Sequence, residues 1–409
     1  MLKEYAWLTR ETDDPTPGTH AQGMRCGQMI WIAGQADLTA AGEIAHPDDP
    51  REQTRGAMRR VDDVLDELGS DATQLVKLLC FYVPDDGFDE TACLASLASM
   101  LPAGARPAVT VIPVGYLSHR GMRVLIEGYA MQAADGARLS RQYAPRDNGE
   151  AWLPAPFETA VRCGKMIFVS GQLAVVDGKV AHPGDIVGQT RQVMQQIGGA
   201  LAAFGATFDD VVKVNRWYVG RGSVEDFEPA ALACAAHFNE PGPAATGIPL
   251  ANLAREGELI RIEVVAMLGE DGERLPRRHA WPDSLWDWTT HLPYKHGVKC
   301  HDMIFLGGQV SLDKQGRAVS SGEMALQTRQ AMTHIGTILR ELDADYADIC
   351  KLTTMYEGRC GVDELDVNRR VRSSFFDAPR LPMTDVPQPV LAYPGMIIEI
   401  DAFAVAEPD

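Results

Sequence analysis

Apolar residues recur at helical spacing in three long segments of the chain. The first segment carries them at Met58, Val61, Val64, Leu65 and Leu68. Equivalent series run over residues 193–204 and 332–342. Because apolar residues three and four positions apart line one face of a helix, each segment is predicted to be a long amphipathic helix. Gly69 and Gly205 follow the first two segments, where a left-handed C-terminal cap is expected.

Shorter apolar runs predict β-strands around each helix. A hairpin is expected before the helix, and a strand after it at 76–83, 211–219 and 350–357. A second, shorter helix and two closing strands complete each unit. Two blocks of helices among strands that can pair antiparallel are typical of an α+β sandwich, in which helices cover one face of a sheet.

This order of elements occurs three times with sequence markers in register. Trp-Ile-Ala-Gly-Gln at 31–35 recurs as Phe-Val-Ser-Gly-Gln at 168–172 and Phe-Leu-Gly-Gly-Gln at 305–309, a spacing of 137 both times. Further markers in register are Gln-Thr-Arg at 53–55, 189–191 and 327–329, and the lysines Lys77, Lys213 and Lys351. A period of this length is that of a complete domain rather than a solenoid unit. We predict homologous domains at 1–134, 135–270 and 271–409.

The junctions between these units lie near 134–155 and 268–292. They contain Trp152, Trp281, Trp286 and Trp288. Large aromatic side chains bury well, so we expect them to fix the junctions onto the domains, the alternative being mobile linkers. Three sheets with helices on one face leave three opposite faces to be buried. Packing these faces together predicts a single-chain pseudo-trimer.

Composition and charge narrow the classes of function. The net charge is 38 − 56 = −18, and no run of basic residues appears. This charge argues against nucleic acid, whose affinity comes from neutralising phosphates, and against docking on an anionic membrane. No stretch approaches the roughly 18 apolar residues of a membrane span. No signal-peptide pattern or CxxC pair is visible, so a cytoplasmic protein is expected.

Cofactor and metal motifs are also missing from the sequence. No His, Cys and Asp cluster has the spacing of zinc ligands. There is no Gly-rich phosphate loop and no dinucleotide fingerprint. We therefore predict a protein that uses neither a metal nor an organic cofactor.

The repeats resemble the Rid family, also called YjgF-like reactive-intermediate deaminases. The resemblance rests on the apolar-(Ser/Ala/Gly)-Gly-Gln step, the Gln-Thr-Arg helix, the Val-Lys strand and an Arg before a closing run with paired acids. It covers almost the whole chain. It implies three tandem chorismate-mutase-like domains, each a mixed sheet with two helices on one face, and ligand clefts between domains. The deaminase members hydrolyse imines and enamines derived from 2-amino acids, without metal or organic cofactor.

The resemblance also implies catalytic residues. The arginine that would bind the substrate carboxylate is Arg106 in the first repeat and Arg380 in the third, whereas the second repeat has Gly242. The glutamate that would orient water is Glu399 in the third repeat. The first repeat has Leu125 at that position, and the second has Arg261, which is either freely exposed or part of a site of reversed polarity.

Substrate-binding positions are implied in the same way. They are Tyr294, Asn368, Gly308, Ser170 and Gly171. A cleft between two domains combines residues of two repeats, and the sequence does not say which repeats meet. The sequence is compatible with a site around Arg106 and with a site around Arg380. It is also compatible with a site in which Arg106 faces Glu399.

The leading hypothesis is a hydrolytic deaminase that acts on an imine, an enamine or a related C–N bond in a small carboxylate. An arginine would hold the carboxylate, and Glu399 would orient a water and accept its proton. A pathway-specific hydrolase acting on another bond is one alternative. A small-molecule-binding or regulatory protein is another, favoured by the loss of site residues in two repeats. RNA cleavage fits the charge of −18 poorly. A self-contained pseudo-trimer predicts a monomer or a dimer of such units.

Overall fold

The computed structural model accounts for nearly the whole chain. The described residues are 2–8, 20–146, 152–358, 361–377 and 381–408. Arg380 lies outside them. No helix in this described part is long and apolar enough to cross a membrane.

Each repeat forms one mixed sheet with two helices. The first repeat contains β1 (Lys3–Ala6), β2 (Gly23–Cys26), β3 (Met29–Gln35), α1 (Pro50–Glu67), β4 (Leu75–Tyr82), α2 (Glu90–Met100), β5 (Ala108–Pro113) and β6 (Val124–Met131). The second contains β7 (Arg141–Tyr143), β8 (Ala160–Cys163), β9 (Met166–Val169), β10 (Gln172–Leu173), β11 (Val175–Val176), β12 (Lys179–Val180), α3 (Ile186–Ala202), β13 (Val211–Val219), α4 (Val224–Ala235), β14 (Ala244–Leu250) and β15 (Ile260–Met267). The third contains β16 (Arg277–Ala280), β17 (Gly297–Cys300), β18 (Met303–Leu306), β19 (Gln309–Val310), α5 (Met324–Glu341), β20 (Ile349–Glu357), α6 (Asp363–Ser373), β21 (Met383–Gln388) and β22 (Ile398–Val405). The predicted α+β architecture of three tandem units is confirmed.

The three long helices, α1, α3 and α5, end in the same way. After α1 the N–H of Ser70 donates to Leu65 O at 2.8 Å, and Gly69 has φ of +66°. This pairing is that of a Schellman cap, which satisfies carbonyls left open at a helix end. Gly205, with φ of +75°, closes α3 as predicted, and Asp343, with φ of +54°, takes the same place after α5.

The sheet order is the same in each repeat. The closing strand (β6, β15 or β22) pairs antiparallel with the strand that follows the long helix, and that strand pairs parallel with β5, β14 or β21. The junctions are ordered where described, because β7 and β16 extend the hairpins of the second and third sheets. Of the four junction tryptophans, Trp286 is buried, whereas Trp152, Trp281 and Trp288 are half-buried.

Buried ion pairs join the repeats in a cycle. Each pair joins the marker lysine of one repeat to an acid of another: Lys77 to Glu263 at 2.7 Å, Lys213 to Asp401 at 2.9 Å, and Lys351 to Glu127 at 3.0 Å. Each long helix packs on the closing strand of its own repeat, α1 against β6, α3 against β15 and α5 against β22. Each repeat is therefore joined to both of the others by a buried ion pair.

Candidate active sites between the repeats

Three clefts form where the Gly-Gln step of one repeat meets a parallel edge strand of another. In cleft 1–2, Gly171 N donates to Val109 O of the first repeat at 3.2 Å. In cleft 2–3, Gly308 N donates to Ala245 O of the second repeat at 3.2 Å. Cleft 3–1 joins the third repeat to the first. A glycine is needed at these steps, because a Cβ on Gly171 would lie 2.8 Å from a methyl carbon of the facing strand.

Arg106 lies in cleft 1–2 and already has a carboxylate partner. Its Nε donates to Glu158 Oε1 at 2.6 Å, and its guanidinium lies 4.0 Å from the centre of the Tyr143 ring. The side chain is 47% exposed. Glu399 lies beside Gly308 in cleft 2–3, so the pairing of Arg106 with Glu399 that the sequence left open does not occur in the structure.

Arg261 occupies the family's glutamate position in cleft 1–2 and is fully buried. Its Nη2 donates to Glu258 at 2.7 Å, and its Nη1 pairs with Glu90 of the first repeat. It is thus one member of an internal ion network rather than an exposed residue. The hydroxyl of Ser170 donates to Glu158 O at 2.6 Å and accepts from the backbone across the cleft. Arg106, Arg261 and Ser170 are therefore all bonded to other groups of the protein in this cleft.

Asn368 lies in cleft 3–1, where a second ion network is found. Arg372 Nη2 donates to Asn368 Oδ1 at 2.6 Å and to Asp385 Oδ1 at 2.5 Å. Burial would raise the pKa of Asp385, but Arg372 and Arg369 hold it well below its usual range. The first repeat contributes Leu125 at the glutamate position, so this cleft has no counterpart of Glu399.

Cleft 2–3 brings together three of the residues implied by the resemblance, Tyr294, Gly308 and Glu399. All come from the third repeat and face the second. Gly308 lies directly against the carboxyl, since a Cβ there would be 1.9 Å from Glu399 Oε1. Glu399 is only 5% exposed. No other described carboxyl occupies the family's glutamate position.

The surroundings of Glu399 favour its protonated form. Burial raises the pKa of Glu399 to about 8, and the negative charge of Asp401 acts in the same direction. Lys213, Arg216 and the N–H of Gly247 act in the opposite direction without cancelling the effect of burial. A carboxyl with such a pKa is neutral for most of the time at pH 7, and can both donate and accept a proton.

Arg216, on β13 of the second repeat, faces the same cleft and was not predicted. Its guanidinium carbon lies 5.1 Å from the Phe227 ring centre and 5.2 Å from that of Tyr294. It is 2% exposed, and its Nε and Nη2 have no hydrogen-bond partner. Within the described part of the chain it forms no ion pair. The Tyr218 hydroxyl is also buried without a partner.

A signal for Arg216 was present in the sequence. It lies three residues after Lys213, where the other repeats have Cys80 and Thr354. The other two repeats have small side chains at this position, so the arginine is a residue that only the second repeat has gained. The family resemblance directed attention to Gly242 instead. Among the described residues, no group of three or more His, Cys, Asp or Glu side chains is placed to hold a metal.

Comparisons with known proteins agree with this architecture. The sequence model of the family described as endoribonuclease L-PSP matches residues 12–132, 151–268 and 288–406. A RutC family protein of Pyrococcus horikoshii is 34% identical over 113 residues, which cover 27% of this chain and 86% of that protein. The human 2-iminobutanoate/2-iminopropanoate deaminase is 24% identical over 116 residues, 28% of this chain and 82% of that enzyme.

A solved chorismatase structure is similar over most of the chain. It superposes with a TM-score of 0.54 at 14% identity, covering 81% of this chain and 93% of the chorismatase. At this identity the likeness concerns the fold alone. The three family matches coincide with the three sheets and together span most of the sequence. The chain therefore belongs to the endoribonuclease L-PSP family of Rid, or YjgF-like, proteins and carries three tandem copies of its domain.

Proposed function

We propose that the protein is a hydrolytic deaminase acting on the imine or enamine of a small carboxylate, in cleft 2–3 of a single-chain pseudo-trimer. The observation that carries this proposal is the buried carboxyl of Glu399, with its pKa raised to about 8, lying beside Gly308. The human relative is named for the deamination of 2-iminobutanoate and 2-iminopropanoate, which supports this reaction class.

The chemistry needs one group that gives and takes a proton. Protonated Glu399 donates its proton to the imine nitrogen, which makes C2 more electrophilic. The resulting carboxylate then takes a proton from a water as the water oxygen bonds to C2. A second proton from Glu399 goes to the amino group, the C–N bond breaks, and ammonia leaves. The hydroxyl proton returns to Glu399 as the C=O bond forms, giving a 2-oxo acid and the starting carboxyl.

One positioned carboxyl is sufficient for such a reaction. Imine hydrolysis has an accessible barrier, so holding the substrate and transferring a proton supply most of what is needed. Amide hydrolysis would need a stronger nucleophile or an oxyanion hole in addition. The site therefore favours the C=N bond over the amide bond as its target.

A small-molecule-binding protein is the second candidate. It is favoured by clefts 1–2 and 3–1, which lack a free glutamate and hold internal ion networks around Arg261 and Arg372. Those two clefts have diverged from the arrangement in cleft 2–3. A pathway-specific hydrolase acting on another bond remains the third.

Ammonia release from freshly generated 2-iminopropanoate tests the proposal. The parent should release ammonia faster than the uncatalysed reaction, and Glu399→Gln should lower kcat/KM by about 100-fold or more, the usual contribution of a general acid–base group. Glu256→Gln, which changes an exposed loop glutamate, is the matched control and should behave as the parent. Turnover that Glu399→Gln leaves intact would overturn the assignment of cleft 2–3.

A further inference from the structure

The guanidinium of Arg216 is a buried charge that forms no ion pair with a described carboxylate, and the nearby carboxyl of Glu399 is kept mostly neutral by burial. Burying an ionised group costs free energy unless it is paired and hydrogen-bonded. Its Nε and Nη2 nevertheless have no hydrogen-bond partner among the described residues, and Arg216 is 2% exposed. The other buried arginines near the clefts, Arg261 and Arg372, are both paired with carboxylates. Arg216 differs from them in lacking the anion.

The two unpartnered donors lie on the same edge of the guanidinium. The N–H bonds of Nε and Nη2 run parallel and match the two oxygens of a carboxylate, which is the side-on bidentate arrangement. The guanidinium carbon lies 5.1 Å from the ring centre of Phe227 and 5.2 Å from that of Tyr294. At these distances the rings stabilise the charge by cation–π attraction. The two donors are themselves buried, so a carboxylate bound to them would be enclosed by the protein.

The same cleft has lost the arginine that the other two repeats carry before the edge strand. Gly242 stands there, and its N–H donates to Pro293 O of the third repeat at 2.8 Å. A Cβ at this position would lie 3.0 Å from that carbonyl oxygen, so the backbones of the two repeats occupy the space. A carboxylate in cleft 2–3 therefore needs an anchor elsewhere.

We propose that Arg216 is the carboxylate anchor of cleft 2–3, and that it binds side-on the carboxylate of a 2-imino or 2-enamino acid with an unsaturated or aromatic chain. The reaction class in this statement rests on the proposed function, whereas the binding of a carboxylate does not. Arg216 would hold the substrate from the second repeat while Glu399 acts on it from the third.

The class of chain is inferred from the cluster of buried aromatic side chains beside the anchor. Phe227 stacks on Trp288 at 5.6 Å and lies 5.7 Å from Tyr393. The ring centre of Tyr218 lies 6.1 Å from that of Phe227 in an edge-to-face contact. A conjugated or aromatic chain gains area and offset ring contacts on such a surface. A second carboxylate would be desolvated there, and the nearby Lys213 is already paired with Asp401, so dicarboxylic substrates are disfavoured.

Binding of 2-oxo acids, the products of the proposed reaction, tests this assignment by isothermal titration calorimetry. Phenylpyruvate should bind the parent more tightly than pyruvate or oxaloacetate does. Arg216→Met should weaken phenylpyruvate binding by about 30- to 1,000-fold, the cost of removing one partner of a buried charge pair. The affinity of Arg216→Lys for phenylpyruvate should lie between those of the parent and of Arg216→Met, because an ammonium group cannot form the bidentate fork. Arg317→Met, at an exposed arginine paired with Asp313, should bind as the parent.

A thermal scan separates an anchor from a structural residue. Removing an uncompensated buried charge should leave the Tm of unliganded Arg216→Met at or above that of the parent, whereas a structural arginine would lower it. Three results would each overturn the proposal. They are phenylpyruvate binding by Arg216→Met within threefold of the parent, no phenylpyruvate binding by the parent, and tighter binding of oxaloacetate than of phenylpyruvate.

The two proposals can fail separately. Binding that requires Arg216 in a protein that releases no ammonia would remove the deaminase function and leave the anchor. Ammonia release that survives in Arg216→Met would leave the function and remove the anchor.

Discussion

Replacing Glu399 by glutamine should change how stability depends on pH. Burial raises the pKa of Glu399 from its ordinary value of 4.5 to about 8 in the folded protein. Below the lower value the carboxyl is protonated in both the folded and the unfolded state. Between the two values the native state keeps a proton that the unfolded chain has released. Rising pH therefore favours unfolding of the parent over this window, while the glutamine variant has no such group.

The magnitude follows from the separation of the two pKa values, 8 − 4.5 = 3.5. Each pKa unit is worth about 1.36 kcal/mol, so the full effect is about 5 kcal/mol, and about 3 kcal/mol falls between about pH 5 and pH 7.5. The free energy of unfolding of Glu399→Gln, minus that of the parent, should therefore rise by about 3 kcal/mol between about pH 5 and pH 7.5. The contribution of Glu399 is complete at low pH and is lost as the pH rises through about 8.

Urea unfolding followed by tryptophan fluorescence measures this difference at several pH values. Other titrating groups are common to both proteins and cancel in the subtraction. Glu256→Gln, at an exposed loop position that water reaches in both states, should show no trend. A difference that stays constant with pH, or that falls, would refute the inference that Glu399 is buried in its neutral form.

Three further predictions follow from the same contacts. Gly308→Ala places a Cβ 1.9 Å from Glu399 Oε1 and should displace the carboxyl, which should lower kcat/KM for an imine by about 100-fold. Activity within threefold of the parent would contradict this geometry. Lys351→Met leaves Glu127 buried without its ion-pair partner, so the free energy of unfolding measured with denaturant should fall by about 3–5 kcal/mol. A fall below about 1 kcal/mol would mean that this pair does not hold the first and third repeats together. The kcat/KM profile should fall above a pH of about 8 as Glu399 loses its proton, and a profile that stays flat to about pH 9.5 would argue against the neutral carboxyl as the acid.

The fold was predictable because the repeated markers have structural roles that any copy must keep. The glutamine of each Gln-Thr-Arg triplet is buried and ties its helix to two loops. Gln53 Nε2, for example, donates to His46 O at 2.8 Å and Gly121 O at 2.7 Å. The marker lysines form the ion pairs between repeats. Packing that recurs in each copy leaves a periodic trace in the sequence, and such a trace can be found without any structure.

The proximity of the candidate residues was predictable only within one repeat. Tyr294, Gly308 and Glu399 were all implied for the third repeat and do lie together in cleft 2–3. Their partners across the cleft were not predictable, because which repeats meet depends on tertiary packing. The two arginines that the sequence put forward illustrate this. Arg106 is paired with Glu158, 52 residues further along the chain, and Arg380 lies outside the described residues.

Arg216 shows a second limit of inference from a resemblance. A family pattern marks positions at which this chain keeps or loses a known residue. It does not mark a position where the chain has gained a new one. The gain is evident only when the repeats are compared with each other, and its meaning depends on the burial of the guanidinium and on the two donors without partners.

The most direct test of the account is ammonia release from freshly generated 2-iminobutanoate by the parent and by Glu399→Gln at equal concentration. The account predicts release by the parent above the uncatalysed rate, and a fall of about 100-fold or more in the variant. Equal release by the two proteins, or none by the parent, would contradict it.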